Sequence, residues 1–211
     1  MHANLGVRSQ RDVRSGGRRA GRCFVRAGSV LAAAALSPVH RAFERTVIAA
    51  SRYRVLHGIP VGLFRPRETE GIWGKVGEAL DLLETTDPRR HRRVARDLKR
   101  IVVMRHTKPL LLERSATCVL GQELVETKSS ALIAAVLVHE ATHARVQAHG
   151  ISYRPETRDR IEALCVREEI AFARRLPRDE YPSVDEFVRH LRRSIELDPK
   201  TRRQTGPRIT G

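Results

Sequence analysis

Eight apolar residues, Ala131-Leu-Ile-Ala-Ala-Val-Leu-Val138, run without a break into His139-Glu-Ala-Thr-His143. From Ser129 to Ala148 the chain has no glycine or proline, and most positions hold good helix formers. Lys128, Ser129 and Ser130 stand where a cap belongs and Gly150 where a helix would end. Because Leu132–Val138 is apolar on every side, this helix belongs inside the molecule rather than on its surface, and the rest of the chain must wrap around it. Two histidines and a glutamate at the end of a buried helix are costly unless something satisfies them. Residues four apart share a helix face, so His139 and His143 bring two imidazoles to one point. Glu140 sits about 100° round the helix from His139. A chance match would be a surface helix with two solvated histidines, and the buried run argues against it.

Two imidazoles on one face supply half of a tetrahedral zinc site, and the intervening glutamate is placed as a general base. This is the HExxH arrangement of zinc-dependent peptidases. A catalytic zinc takes a third protein ligand. A second helical pattern, from about Glu156 to Arg175, offers Glu162, Cys165, Glu168 and Glu169. Glu162, Cys165 and Glu169 fall at i, i+3 and i+7 on one stripe, whereas Glu168 points to a more exposed side. Glu162 lies nearest the helix start, where the helix dipole favours a carboxylate. The plainer role for Glu162 is an ion pair with Arg158, four residues earlier; for Cys165, a small buried apolar residue; for His149, a helix-end cation.

The run His139-Glu140-x-x-His143, then Gly150-Ile151-x-Tyr153, then Glu162, resembles the zinc site of thermolysin-like gluzincins. The resemblance spans about residues 129–175. It implies His139, His143 and Glu162 as metal ligands, Glu140 as the catalytic base, and Tyr153 as a donor to the developing oxyanion. It departs from the family at Val166, where an acidic residue is expected, in a slightly shorter inter-helix segment, and in lacking a downstream histidine motif; His190 is the only later histidine.

The remaining sequence bounds the alternatives. Three widely spaced cysteines, Cys23, Cys118 and Cys165, give neither a disulfide framework nor a cysteine zinc cluster. The formal net charge is +16, which raises the question of nucleic acid. Residues 1–22 carry six arginines against one aspartate, and a basic helix is expected over Pro88–Arg100 with Val94 and Leu98 inward. Against this, arginines outnumber lysines thirty-five to five, a bias of composition, and only 4% of residues are aromatic, leaving few stacking platforms. Nucleic acid is therefore the weaker expectation. The apolar run Ser29–Leu36 is too short to span a bilayer and lacks a convincing cleavage pattern. A cytoplasmic location is expected, with peripheral membrane contact through the basic N-terminal segment as the alternative.

Other elements follow from pattern. Pro38–His57 reads as an amphipathic helix with Val39, Phe43, Val47, Ala50 and Tyr53 inward. Gly58-Ile-Pro60 ends it, and Val61–Pro66 reads as a connector. Thr69–Leu83 reads as a helix, and Asp87-Pro88 as the start of the basic helix. Short strands are expected at Ile101–Met104, Leu110–Leu112 and Ala116–Leu120. Thr117–Leu124 is a candidate for the sheet edge that pairs with an extended substrate, with a plain core strand as the equal alternative. Ser183–Leu197 reads as a final helix.

These readings together predict an α+β, mainly helical chain of zincin type, with a small sheet beside the HExxH helix. Residues 1–37 form a basic segment, 38–197 a single domain with its zinc-site core at 129–175, and 198–211 a tail. The expected function is hydrolysis of protein or peptide substrates with one Zn2+ per chain. The alternatives are a non-catalytic zinc-binding domain, or a basic DNA- or membrane-associated module.

Overall fold

The computed structural model describes residues 38–66 and 69–177. The readings of residues 1–37, of the helix at Ser183–Leu197, of His190 and of the tail lie outside the described residues. The described chain is α+β and mostly helical, with one mixed five-stranded sheet.

The first departure from expectation comes early. Helix α1 covers Pro38–Ala49 and stops; strands β1 (Arg52–Leu56) and β2 (Ile59–Phe64) follow as an antiparallel hairpin. His57 and Gly58, at φ 50° and 76°, form its two-residue turn. Positive φ at both central residues is what a type I′ hairpin requires, and glycine adopts it freely. Of the stripe expected to face inward, Val47 is buried, whereas Val39 and Phe43 are exposed.

Helix α2 (Glu70–Thr86) leads directly into α3 (Pro88–Asp97). The joint matches the sequence signal: the buried Asp87 carboxylate accepts from the backbone N–H of Arg90 at 3.1 Å, with proline at the first helical position. Strands β3 (Arg100–Met104), β4 (Leu110–Leu112) and β5 (Thr117–Gly121) complete the sheet in the order β1-β2-β3-β5-β4. β2, β3 and β5 run parallel, while β1 and β4 are antiparallel to their neighbours. β5 therefore lies between β3 and β4, and Gln122–Thr127 is helix α4. The expectation that Thr117–Leu124 forms the sheet edge is overturned: both sides of β5 are paired, and the edges are β1 and β4.

Alternate residues of the parallel strands (Val61, Leu63, Ile101, Val103, Cys118, Leu120) enter the main core together with residues of α2 to α6, the period-2 pattern of a sheet with one face on its helices. On the other face, Tyr53 lies over its cross-strand partner Gly62, and its hydroxyl donates to the Ile48 carbonyl of α1 at 3.1 Å.

Helix α5 (Ser130–Ala148) is the central member. Ser129 caps it, its hydroxyl accepting from the Leu132 N–H at 3.2 Å, and Ala131–Val138 are all buried. The helix packs on α2, α3 and α6 and against β4 and β5. It ends at Gly150 (φ 76°), where the Gly150 N–H donates to Gln147 O and the Ile151 N–H to Val146 O. That turn sends the chain back into α6 (Pro155–Ala173), which runs alongside α5.

Candidate metal centre

The second half of α5 carries His139, Glu140 and His143 against α6, which contributes Glu162, Cys165 and Glu169. The expected stripe of three on α6 is thus the one that meets the histidines. His139 Nε2 and His143 Nε2 stand 3.1 Å apart. Glu162 Oε2 is 3.6 Å from the first and Oε1 3.7 Å from the second. Donor atoms bound at about 2.0–2.1 Å to a tetrahedral zinc are separated by about 3.3–3.4 Å. The two imidazoles stand close to that spacing of metal-bound donors. Glu162 offers a different oxygen to each, Oε2 to His139 and Oε1 to His143, so its carboxylate must turn for one oxygen to serve as a ligand beside both. In kind the donor set fits a divalent metal.

Around these atoms the side chains hold one another. Glu169 is fully buried and its Oε2 accepts from His139 Nδ1 at 3.2 Å, which directs His139 Nε2 toward His143 and Glu162. Glu169 Oε1 has no hydrogen-bond partner. The Tyr153 hydroxyl donates to Glu162 Oε1, and its ring stands edge-on to His143 with centroids 5.5 Å apart. Glu162 forms no ion pair with Arg158 among the described residues; Arg158 interacts with Tyr153 instead. His149 is exposed at the helix end, its ring against the Arg145 carbonyl, and takes no part.

Burial sets the protonation states. Desolvation pushes Glu140 up to about 7, with Glu162 and Glu169 adding to it and only His139 opposing. His143 is lowered to about 4 by burial and by the neighbouring His139 charge, so its imidazole is neutral at pH 7. Burial works against the charged form of His139 too, but hydrogen bonds to Glu162 and Glu169 and the carboxylate charges outweigh it and raise His139 well above the ordinary range. Glu162 is the counterpart: burial disfavours its anion, yet His139, His143 and Tyr153 hold it ionised down to about pH 2.

Cys165 is the other donor within reach. Its sulfur lies within 4.8 Å of donor atoms of both histidines. Burial and the charges of Glu162, Glu140 and Glu169 raise its thiol pKa, so three carboxylates compete against the thiolate that a metal requires. Glu162, already anionic, is the better-prepared third ligand.

Sequence reasoning missed a second cluster. His57 in the hairpin turn, Glu84 on α2 and His91 on α3 bring donor atoms within 4.8 Å of one another. Their spacing of 27 and 7 residues forms no motif, so only the fold reveals it. Both nitrogens of His57 already meet carboxylates, Glu84 at 2.8 Å and Asp81 at 3.0 Å, and Asp81 and Glu84 are largely exposed. The α5–α6 cluster, enclosed and neutral at His143, is the better metal centre. Among the described residues no helix is long and apolar enough to cross a membrane.

No protein-family model, curated protein or solved structure matches this chain. The site is therefore read from its own geometry.

Proposed function

We propose that the chain is a zincin-type, zinc-dependent peptidase, with the metal held by His139, His143 and Glu162. The observation that carries this reading is the meeting of those three donors beside a buried glutamate whose pKa lies near neutrality. The metal, when bound, supplies an electrophile for the scissile carbonyl and an activated water. Glu140 receives the proton of that water on its carboxylate and passes it to the leaving amine. In the metal-free protein burial raises Glu140 to about 7, and the charge of a bound cation would favour its carboxylate, the form a general base needs at neutral pH. Glu169 keeps His139 in the tautomer that leaves Nε2 free. Tyr153 positions the Glu162 carboxylate, and its hydroxyl reaches an oxyanion only by leaving Glu162. Among the described residues β4 is an edge strand beside α5, and adding a strand to such an edge is a common mode of recognition for an extended protein or peptide substrate.

The test is elemental analysis of dialysed protein followed by a peptide-library digest. About one zinc per chain is expected, absent from the double variant His139→Ala/His143→Ala, which also measures any metal held elsewhere. Glu140→Gln should keep the zinc and lose hydrolysis. Wild-type turnover in that variant would remove Glu140 as the base, and wild-type protein without zinc would remove the peptidase reading.

A second reading rests on Cys165. If its thiolate joins the two imidazoles and Glu162, four protein ligands close the site and make it structural. Cobalt substitution separates the two: a thiolate-to-cobalt absorption band, lost in Cys165→Ser, supports the closed site, and its absence supports the open one.

A further inference from the structure

Arg89, Arg92, Arg93 and Arg96 fall at i, i+3, i+4 and i+7 of α3, a single helical stripe. Together with Arg145 of α5 they line a cavity of about 420 Å³, and every residue lining it is an arginine. Arg145 is two residues beyond His143, about 200° round α5 from it, so the groove opens on a different face from the metal centre.

Charge in this groove is poorly balanced. Arg96 pairs with Asp97 at 2.6 Å and Arg93 with Glu168 at 3.5 Å. Arg89, Arg92 and Arg145 have no ion pair among the described residues. Arg93 is three-quarters buried. Its pKa is lowered by burial and then by Arg145, with Arg89 and Arg90 adding to the repulsion against Glu168 alone. Arg89, Arg92 and Arg96 are exposed, while Arg93 and Arg145 are partly buried. Guanidinium groups of two helices thus face one open groove, whose repulsion an anion would relieve.

The length of the stripe says which anion. Arg89 to Arg96 spans seven residues, about 10 Å of helix, longer than a single phosphate needs. Successive phosphates of a strand lie about twice as far apart as the ~3.4 Å axial rise of the duplex, so roughly two fit along it. Among the described residues no aromatic side chain lines the groove, so it offers no aromatic platform for bases, and its guanidinium charges point to the backbone as the feature recognised. We propose that the arginine groove between α3 and α5 binds the phosphate backbone of a nucleic acid without reading its sequence. This stands independently of the metal centre.

The test is fluorescence anisotropy of the full-length chain with labelled mixed-sequence oligonucleotides, single- and double-stranded, across a salt series. Binding should weaken steeply with salt. The variant Arg89→Ala/Arg92→Ala/Arg96→Ala/Arg145→Ala should lose about tenfold or more in affinity. For single strands its log K against log salt should be shallower by about 1.4, close to 0.7 for each of the two phosphates the stripe spans. The same four positions as lysine should restore most of the slope. Arg92→Ala alone, at an exposed position, should lower it by about 0.7 and guards against misfolding of the fourfold variant. Unchanged zinc content in all variants keeps this result separate from the peptidase reading. The proposal fails if the wild type does not bind. It also fails if binding survives the fourfold variant but is lost on replacing the six arginines of residues 1–22. Displacement by inorganic triphosphate well beyond its ionic-strength effect would make this a small-polyphosphate site. Binding to anionic phosphatidylglycerol vesicles without binding to oligonucleotides would make it a membrane surface.

Discussion

Glu169 Oε2 accepts a hydrogen bond from His139 Nδ1 at 3.2 Å inside a carboxylate that is 0% exposed. The two residues are thirty positions apart, and the contact decides that Nε2 is the nitrogen of His139 turned toward His143 and Glu162. Loss of such an orienting partner costs about 10- to 100-fold in metal affinity. Glu169→Met, close in volume and without an acceptor oxygen, should therefore keep the stoichiometry while weakening zinc by that factor. Competition against a chromogenic chelator measures it, and wild-type affinity would reduce Glu169 to a packing residue.

Metal binding should release one proton from a ligand, and a further fraction from Glu140 below about pH 7, where its carboxyl is still protonated. In the metal-free protein His143 is neutral above about pH 4 and Glu162 is ionised above about pH 2. The ligand proton to be displaced is the one on His139, whose pKa is raised. Zinc affinity should accordingly rise by about tenfold or more per pH unit from pH 5 upward and level off above the raised His139 pKa. Calorimetry in buffers of different ionisation enthalpy counts the protons directly. No buffer dependence near pH 6 would contradict a protonated His139.

Much of this centre was legible because it rests on local periodicity. The i, i+4 spacing of His139 and His143, the Ser129 cap and the i, i+3, i+7 stripe on α6 are properties of single helices, and the fold reproduces them. The Asp87-Pro88 joint was legible for the same reason. The failures came where pairing between segments decides. The hairpin at His57-Gly58 was hidden by an apolar spacing that also suits a helix, and β5 looked like an edge because sequence does not reveal strand order. Glu169 stood among the ligand candidates, but its orienting role depends on how α6 meets α5. The His57–Glu84–His91 cluster joins a turn and two helices and leaves no trace in spacing.

Gly121, at the end of β5, is held by space rather than by backbone conformation. Its φ of −71° suits any residue, yet a Cβ there would stand 2.2 Å from the Thr107 carbonyl oxygen. Backbone cannot swing aside as a side chain does. Gly121→Ala should destabilise the protein by about 1–3 kcal/mol through overpacking, read as a lower denaturation midpoint with an unchanged denaturant slope. A wild-type midpoint would show that the segment before β4 adjusts freely.

Glu140 should weaken the metal-free fold as pH rises. Its carboxyl titrates at about 7 in the folded chain against an ordinary 4.5. The folded state thus holds the extra proton between those values, and stability falls as pH climbs through that window. Below about 4.5 both states are protonated and there is no penalty; above about 7 the full penalty applies. A shift of this size corresponds to roughly 3 kcal/mol, in a residue only 7% exposed. Glu140→Gln, with the metal removed by chelator, should be more stable than wild type at pH 8 by on the order of 2–3 kcal/mol, with the gain gone near pH 4.5. Denaturant unfolding at the two pH values measures it. A gain of equal size at both would point to packing, and no gain at pH 8 would mean that the buried carboxylate has found another partner.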